Sequence, residues 1–349
     1  MTLMHDEILE QPAVVARLAG ELAPYRDAVA RARAAGVRFV LYAARGTSDN
    51  AAVYGKYLAT IHAGLPAGLA VPSSATVYDT PIDLRECLVL GISQSGETPD
   101  VAEYVTHARR AGAFTIAITN DETSRLAREA HTTLATRAGH ERAVAATKTY
   151  TSELAVLALF WATWCDDRAL LSALLDEVPV ALDAALALDA EIAETARWLR
   201  FAERLLVAAR GYNFATALET ALKLKETSYI AAMPYSAADL MHGPIAIVEP
   251  GFPAVLFSLD GRALPAMRRL EGDLLKRGAE LIVVEDGRSD GASAGDRRRR
   301  VLRLPRTLPE ALSPLQAIVA GQLLALRLAE ARGYDPDKPR GLHKVTRTL

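Results

Sequence analysis

Six consecutive residues, Ser93-Gln94-Ser95-Gly96-Glu97-Thr98, place three hydroxyls, an amide and a glycine between an apolar run and a helical pattern. Where a strand feeds a helix, unpaired N–H groups and the positive end of the helix dipole favour an anion. Hydroxyl and amide donors can grip phosphate oxygens there, and Gly96 lets the backbone approach closely. Ser48, at the mouth of the preceding strand, is placed to join them. The simpler alternative is a helix cap, because Ser and Thr are favoured at helix starts in any case. Further on, Glu219, Lys223 and Glu226 follow i, i+4, i+7 spacing and fall on one stripe, with Phe214, Ala217, Ala221 and Leu224 facing the other way. Such a stripe is ordinarily a solvated face. His242, before Gly243-Pro244, is ordinarily a turn residue, and Lys344, on an irregular tail with Pro336 and Pro339, is ordinarily a solvated charge.

The elements that must carry these residues alternate along the chain. Residues 37–44 read as a buried strand, followed by a helix over 49–63. Strands at 87–93 and 114–119 flank a helix over 100–111. Two long helical patterns, 147–165 and 168–201, interrupt the alternation. It restarts with a strand at 205–210 and a helix reaching about Ile230, then strands at 254–258, 281–285 and 301–304 and a last helix over 313–332. This grammar predicts parallel sheets covered by helices. Ala44-Arg45-Gly46-Thr47-Ser48 and Ala209-Arg210-Gly211-Tyr212-Asn213 form a weak internal repeat, so two α/β sandwich domains in tandem are expected, 1–185 and 186–349. The counterpart of Ser93–Thr98 in the second half is Ser258-Leu259-Asp260-Gly261-Arg262, where an acid has entered and hydroxyls are lost. An anion site is therefore expected in the first half only.

The 349 residues carry 40 Lys plus Arg against 42 Asp plus Glu, a net charge of −2, with half the residues hydrophobic. This composition supplies a core and excludes disordered, collagen-like and disulfide-scaffold classes. It also argues against a nucleic-acid partner, which demands an excess of basic residues. The basic run 297–300, after the small residues 291–295, reads as a solvated loop. Cys87 and Cys165 lie apart in apolar surroundings and read as buried reduced thiols, which suits a cytoplasmic protein. No signal peptide is evident, and the longest nearly uncharged apolar run, 154–165, is too short to cross a bilayer, so no membrane partner is expected. None of the seven His residues sits in a metal-ligand cluster, and no metal or organic cofactor is expected.

Taken together and in order, Arg45-Gly46-Thr47-Ser48, Ser93–Thr98, the helix 217–230, His242-Gly243-Pro244 and Pro339-Arg340-Gly341-Leu342-His343-Lys344 resemble the sugar isomerase (SIS) domain family. The resemblance is to the isomerase half of glucosamine-6-phosphate synthase, over essentially the whole chain. It implies tandem flavodoxin-like SIS domains, a small-molecule phosphosugar substrate, and a homodimer whose active site borrows residues across the interface. It also implies roles. Ser48, Ser93, Gln94, Ser95 and Thr98 hold the sugar phosphate. Glu226 moves a proton between C1 and C2, and His242 of a neighbouring subunit assists ring opening. Lys344 forms a Schiff base with the keto sugar, while Glu219 and Lys223 orient Glu226 or polarise a sugar oxygen.

Two departures shape the expected activity. The synthase begins with a glutaminase domain, for which a chain starting Met1-Thr2 leaves no room, so glutamine is not expected to supply nitrogen. Ala146, beside Thr147 among the sugar-contact candidates, stands where the synthase carries a Ser. The ending from Lys344 resembles stand-alone SIS-type deaminases. The expected reaction is isomerising deamination of glucosamine 6-phosphate to fructose 6-phosphate and ammonia. The alternatives are another aldose–ketose isomerase, a deglycase, an ammonia-dependent synthase, or a phosphosugar sensor without turnover.

Overall fold

The computed structural model describes residues 2–20, 22–287, 296–342 and 344. The first sheet holds β1 (Phe39–Ala43), β2 (Ala67–Leu69), β3 (Cys87–Ile92), β4 (Phe114–Thr119) and β5 (Thr132–Ala135), in the order β2-β1-β3-β4-β5. The second holds β6 (Arg204–Ala209), β7 (Ala231–Ser236), β8 (Pro253–Phe257), β9 (Glu280–Asp286) and β10 (Arg299–Leu304), in the order β10-β9-β8-β6-β7. Every pairing is parallel, with Phe39 opposite Cys87 and Ala43 opposite Gly91 at the centre of the first sheet. Counted within its own half, each sheet has the order 2-1-3-4-5. That is the flavodoxin-like arrangement, in which the chain reverses direction of winding between the first and third strands. The central strands β3 and β4 are buried at every residue, as a parallel sheet covered on both faces requires. The fold is two tandem parallel sheets flanked by helices.

The described residues form two compact units. One contains the second sheet, with residues 2–12, 142–147, 177–287 and 296–342. The other contains the first sheet, with residues 13–20, 22–141, 148–176 and Lys344. Where the sequence pattern puts the border at 185/186, the chain's main crossing falls at 176/177.

Several local expectations change. The strands β2, β5 and β7 go unpredicted; all three are sheet edges, short or only partly buried, and β7 carries Pro234, which a central strand could not hold. The single helix expected over 168–201 is broken into Arg168–Ser172, a wide turn Ala173–Glu177, Val178–Leu186 and Asp189–Trp198. Pro179 explains the first break, since it lacks an N–H and starts a helix better than it continues one. The helix expected over 49–63 runs Thr47–Tyr57 and then loosens into a wide turn, Leu58–His62. Cys165 is half-buried rather than buried, while burial pushes the Cys87 thiol up to about 12. No helix of the described residues is long and apolar enough to cross a membrane.

The basic run is a solvated loop only in its first half, Arg297 and Arg298, which lie in an exposed turn. Arg299 and Arg300 begin β10, and the Arg299 guanidinium is buried against Glu271 (2.6 Å) and Glu285 (2.7 Å). Burial pushes the Glu285 carboxyl up, but hydrogen bonds from Arg303 and Arg299 outweigh it and hold the group below its usual range. The residues 291–295 lie outside the described part.

A buried hydrogen-bond chain fixes β1 to its covering helices. Tyr42 donates its hydroxyl to the Gly55 carbonyl (2.7 Å) and accepts from the Trp161 indole N–H (2.9 Å). A methyl at Gly55 would lie 2.6 Å from the Tyr42 ring, so only glycine lets the helix Thr47–Tyr57 pack this close. Tyr42→Phe strands a buried indole N–H and leaves the Gly55 carbonyl with the Leu58 N–H alone, and should destabilise the protein by about 1–3 kcal/mol in urea unfolding. An unchanged midpoint would show that neither group depends on the hydroxyl.

Candidate functional site

In a doubly wound sheet, ligands bind beyond the carboxyl ends of the strands at the point where the winding reverses. In the first sheet that point lies between β1 and β3, and the loops leaving those strands are 44–48 and 93–98. Thr98 is the N-cap of the helix Pro99–Arg110, yet its side chain makes no capping bond. Its hydroxyl instead shares a 3.0 Å hydrogen bond with Ser93. Two hydroxyl hydrogens meet in one bond, so one remains to be offered to a ligand. Ser95 accepts the Glu97 N–H at 3.2 Å, which leaves its own hydrogen for donation. Gly96 has φ +64°, and a Cβ there would lie 2.0 Å from Ser124 Oγ. The loop therefore depends on glycine for its backbone shape and for room. Gln94 is half-buried, and its carbonyl is held by Asn120 N–H and Thr119 hydroxyl. Ser48 is placed differently: buried, it donates to Glu153 at 2.8 Å. Its single proton is committed to a carboxylate 105 residues along the chain, a partner with no local sign in the sequence.

The equivalent loop of the second sheet, 258–262 after β8, is filled by the chain itself. The Glu310 carboxylate accepts Arg262 N–H at 2.8 Å and Ala263 N–H at 3.1 Å, at the start of the helix Leu264–Lys276. A Cβ at Gly261 would fall 2.3 Å from the Glu310 carboxyl carbon. An anion does occupy this helix end, and it is a side chain. The loss of hydroxyls read from this loop thus coincides with a carboxylate supplied by the chain.

The helix Phe214–Ser228 is held by Ser313–Ala331, where Gly321 meets Thr220 closely and Thr227 and Ser228 donate to the Ala325 carbonyl. Its stripe is not a solvated face. Glu219 is fully buried, Lys223 is 1% exposed and Glu226 is 23% exposed at the side chain. Lys223 Nζ lies 3.4 Å from Glu219 and 2.5 Å from Glu226. An ammonium so enclosed is tolerable only with carboxylates around it, and here the pairing leaves Glu226 as the one member open to a ligand.

The remaining candidates are scattered between the units. In the same unit as Glu226, Ala146 is half-buried, Thr147 is buried, and the Thr147 carbonyl accepts from Gln322 (3.2 Å). His242 ends the helix Ala237–Met241 and is exposed. Among the described residues no hydrogen bond or ion pair joins His242 to Glu226 within the chain. The tail is anchored rather than free: Asp337 accepts the N–H groups of Leu3 and Met4, and Arg340 lies 4.3 Å over the Tyr229 ring. Lys344, in the unit of the first sheet, is paired with fully buried Glu141 at 3.1 Å, so it is not a solvated charge. Residues 343 and 345–349 lie outside the described part. Among the described residues no cluster of three His, Cys, Asp or Glu is placed to hold a metal.

The SIS domain model matches residues 34–162 and 199–325, one match over each sheet. The chain belongs to the SIS domain family. The isomerizing glutamine–fructose-6-phosphate aminotransferase of Aquifex aeolicus (strain VF5) is 33% identical over 342 residues, 98% of this SIS chain and 57% of the relative. The chain thus spans little more than half the length of the curated relatives it matches. A chain from Silicibacter pomeroyi DSS-3, provisionally assigned as a phosphosugar isomerase, is 34% identical with a TM-score of 0.87, covering 97% of this chain and 100% of that one. The C-terminal domain of glucosamine-fructose-6-phosphate aminotransferase from Francisella tularensis is 28% identical with a TM-score of 0.89, covering 97% and 98%.

Two substitutions test how the paired loops are built. Gly96→Ala forces a side chain into the left-handed region and against Ser124, and should destabilise the protein by at least about 1–2 kcal/mol. Glu310→Ala removes the acceptor for two N–H groups at a helix start and should cost about 0.5–2 kcal/mol, as loss of a cap does. Thermal melts of both variants check this, and wild-type melting of either would show the loop has another support.

Proposed function

We propose that this SIS-family chain deaminates glucosamine 6-phosphate to fructose 6-phosphate and ammonia, with water as co-substrate. The observation that carries the reading is the buried Glu219–Lys223–Glu226 triplet, which leaves one carboxylate accessible beside a compensating cation. An aldose–ketose shift needs one group that takes a proton from C2 and returns it at C1, and Glu226 is suited to that exchange. Ser93, Gln94, Ser95 and Thr98 hold the ester phosphate, while Ser48 supports the loop through Glu153 and turns to the ligand only if that bond is given up. His242 assists ring opening from a second copy of the chain in a homodimer, which its exposure permits. The ring-opened amino sugar then loses its C2 proton to Glu226, gains one at C1, and becomes a ketimine. Lys344 displaces ammonia from C2, and water releases fructose 6-phosphate. At the sugar, Ala146 offers a methyl and backbone, and Thr147 lies beside it.

The names of the relatives favour one other reading, in which the same groups run the reaction towards amination with free ammonia. Both directions call on the same residues, so the assay is run from each side. Purified protein should release ammonia from glucosamine 6-phosphate, and Glu226→Gln should lower kcat by about 10²–10⁴-fold. Ser95→Ala should chiefly raise KM, roughly tenfold to a hundredfold, as expected for a lost hydrogen bond to a charged group. No turnover above background in either direction would overturn the proposal.

A further inference from the structure

A lysine that is to attack a carbonyl must first part with a proton, and the group that receives it has to lie within hydrogen-bond reach of the nitrogen. Lys344 Nζ has such a neighbour in Glu141 Oε2, at 3.1 Å. Glu141 is fully buried, whereas the lysine side chain is 25% exposed, so the amine lies between a buried carboxylate and the side open to solvent. The carboxylate is itself fixed. Its other oxygen accepts the Thr149 N–H at 3.3 Å, in the first turn of the helix Lys148–Trp164, where the dipole favours negative charge. Glu141, in the loop before that helix, is thus held against its first turn through one oxygen and meets the amine through the other.

We propose that Glu141 is the proton acceptor and positioning residue for Lys344, an inference that rests on the reading of Lys344 as the imine-forming amine. The step balances. The ammonium passes one proton to Glu141, giving a neutral amine and a neutral carboxyl. The amine lone pair bonds to the carbonyl carbon, and a proton moves from nitrogen to the former carbonyl oxygen, giving a carbinolamine. Glu141 returns its proton to that hydroxyl, which leaves as water, and the C=N bond forms as a cation. The regenerated carboxylate then faces an iminium where it formerly faced an ammonium. One buried anion serves both cationic states, and at no stage is it left as an uncompensated charge.

The test is borohydride trapping of Lys344 with fructose 6-phosphate, read by peptide mass, on wild type, Glu141→Gln, Glu141→Asp and Lys344→Ala. Glutamine keeps the size and the acceptor for Thr149 but cannot take the proton. Wild type should yield a reduced adduct on Lys344, Lys344→Ala none, and Glu141→Gln at least tenfold less than wild type with its thermal midpoint unchanged. Aspartate keeps the charge but withdraws it by one C–C bond, ~1.5 Å; it should fall between wild type and Gln, and it decides the matter if the Gln variant does not fold. Trapping on Lys344 at the wild-type rate in the Gln variant, or in the Asp variant where Gln does not fold, overturns the role of Glu141 while leaving Lys344 as the amine. No adduct on Lys344 in wild type overturns both.

Discussion

A lysine ammonium with 1% of its side chain exposed has lost its water and must be compensated within its own surroundings. Lys223 sets that demand on the helix Phe214–Ser228, and Glu219 and Glu226 meet it from one turn on either side. The helix is in turn fixed by Ser313–Ala331 through the close approach at Gly321 and the hydroxyl contacts at Ala325. Removing the lysine would leave two neighbouring carboxylates without their cation, and removing either acid would weaken the case for keeping the lysine charged. The arrangement therefore locks three ionisable groups into one geometry and leaves only Glu226 with an open side.

The two sheets repeat one topology and treat its winding reversal in opposite ways. In the first, the loop after β3 supplies hydroxyls with hydrogens still to donate, around a glycine that no other residue could replace. In the second, the loop after β8 has lost its hydroxyls, and the Glu310 carboxylate caps the helix that follows. An unoccupied helix start carries unsatisfied donors, so a helix start that binds no ligand calls for an internal substitute. A glutamate is a suitable one, since its two oxygens can each accept a backbone N–H.

Much of this was legible in the sequence because buried parallel strands are uniform apolar runs. β1, β3, β4, β6, β8 and β9 announce themselves that way, and the glycine-containing loop after β3 marks the carboxyl end of the first sheet. Edges are quieter. β2 has three residues, β5 is half threonine, and β7 contains a proline, so none carries the pattern of a core strand. Spacing placed Glu219, Lys223 and Glu226 on one stripe but could not say that the stripe is buried, because burial depends on what packs over the helix from far along the chain. The partners Glu153, Glu141 and Glu310 were invisible for the same reason. A carboxylate far along the chain gives no local sign of the hydroxyl, amine or N–H it will meet. The run 297–300 misled in the opposite sense, since the acids that bury Arg299 lie on the helix Leu264–Lys276 and on β9.

Deuterium exchange into fructose 6-phosphate probes the proposed proton transfer most directly, since it requires neither ammonia nor net turnover. In D2O, proton NMR should show one of the two C1 hydrogens replaced stereospecifically by the wild-type protein and retained with Glu226→Gln. Exchange at the same rate in that variant, or none with wild type at saturating sugar, would contradict the assignment of Glu226 as the group that carries the proton between C1 and C2.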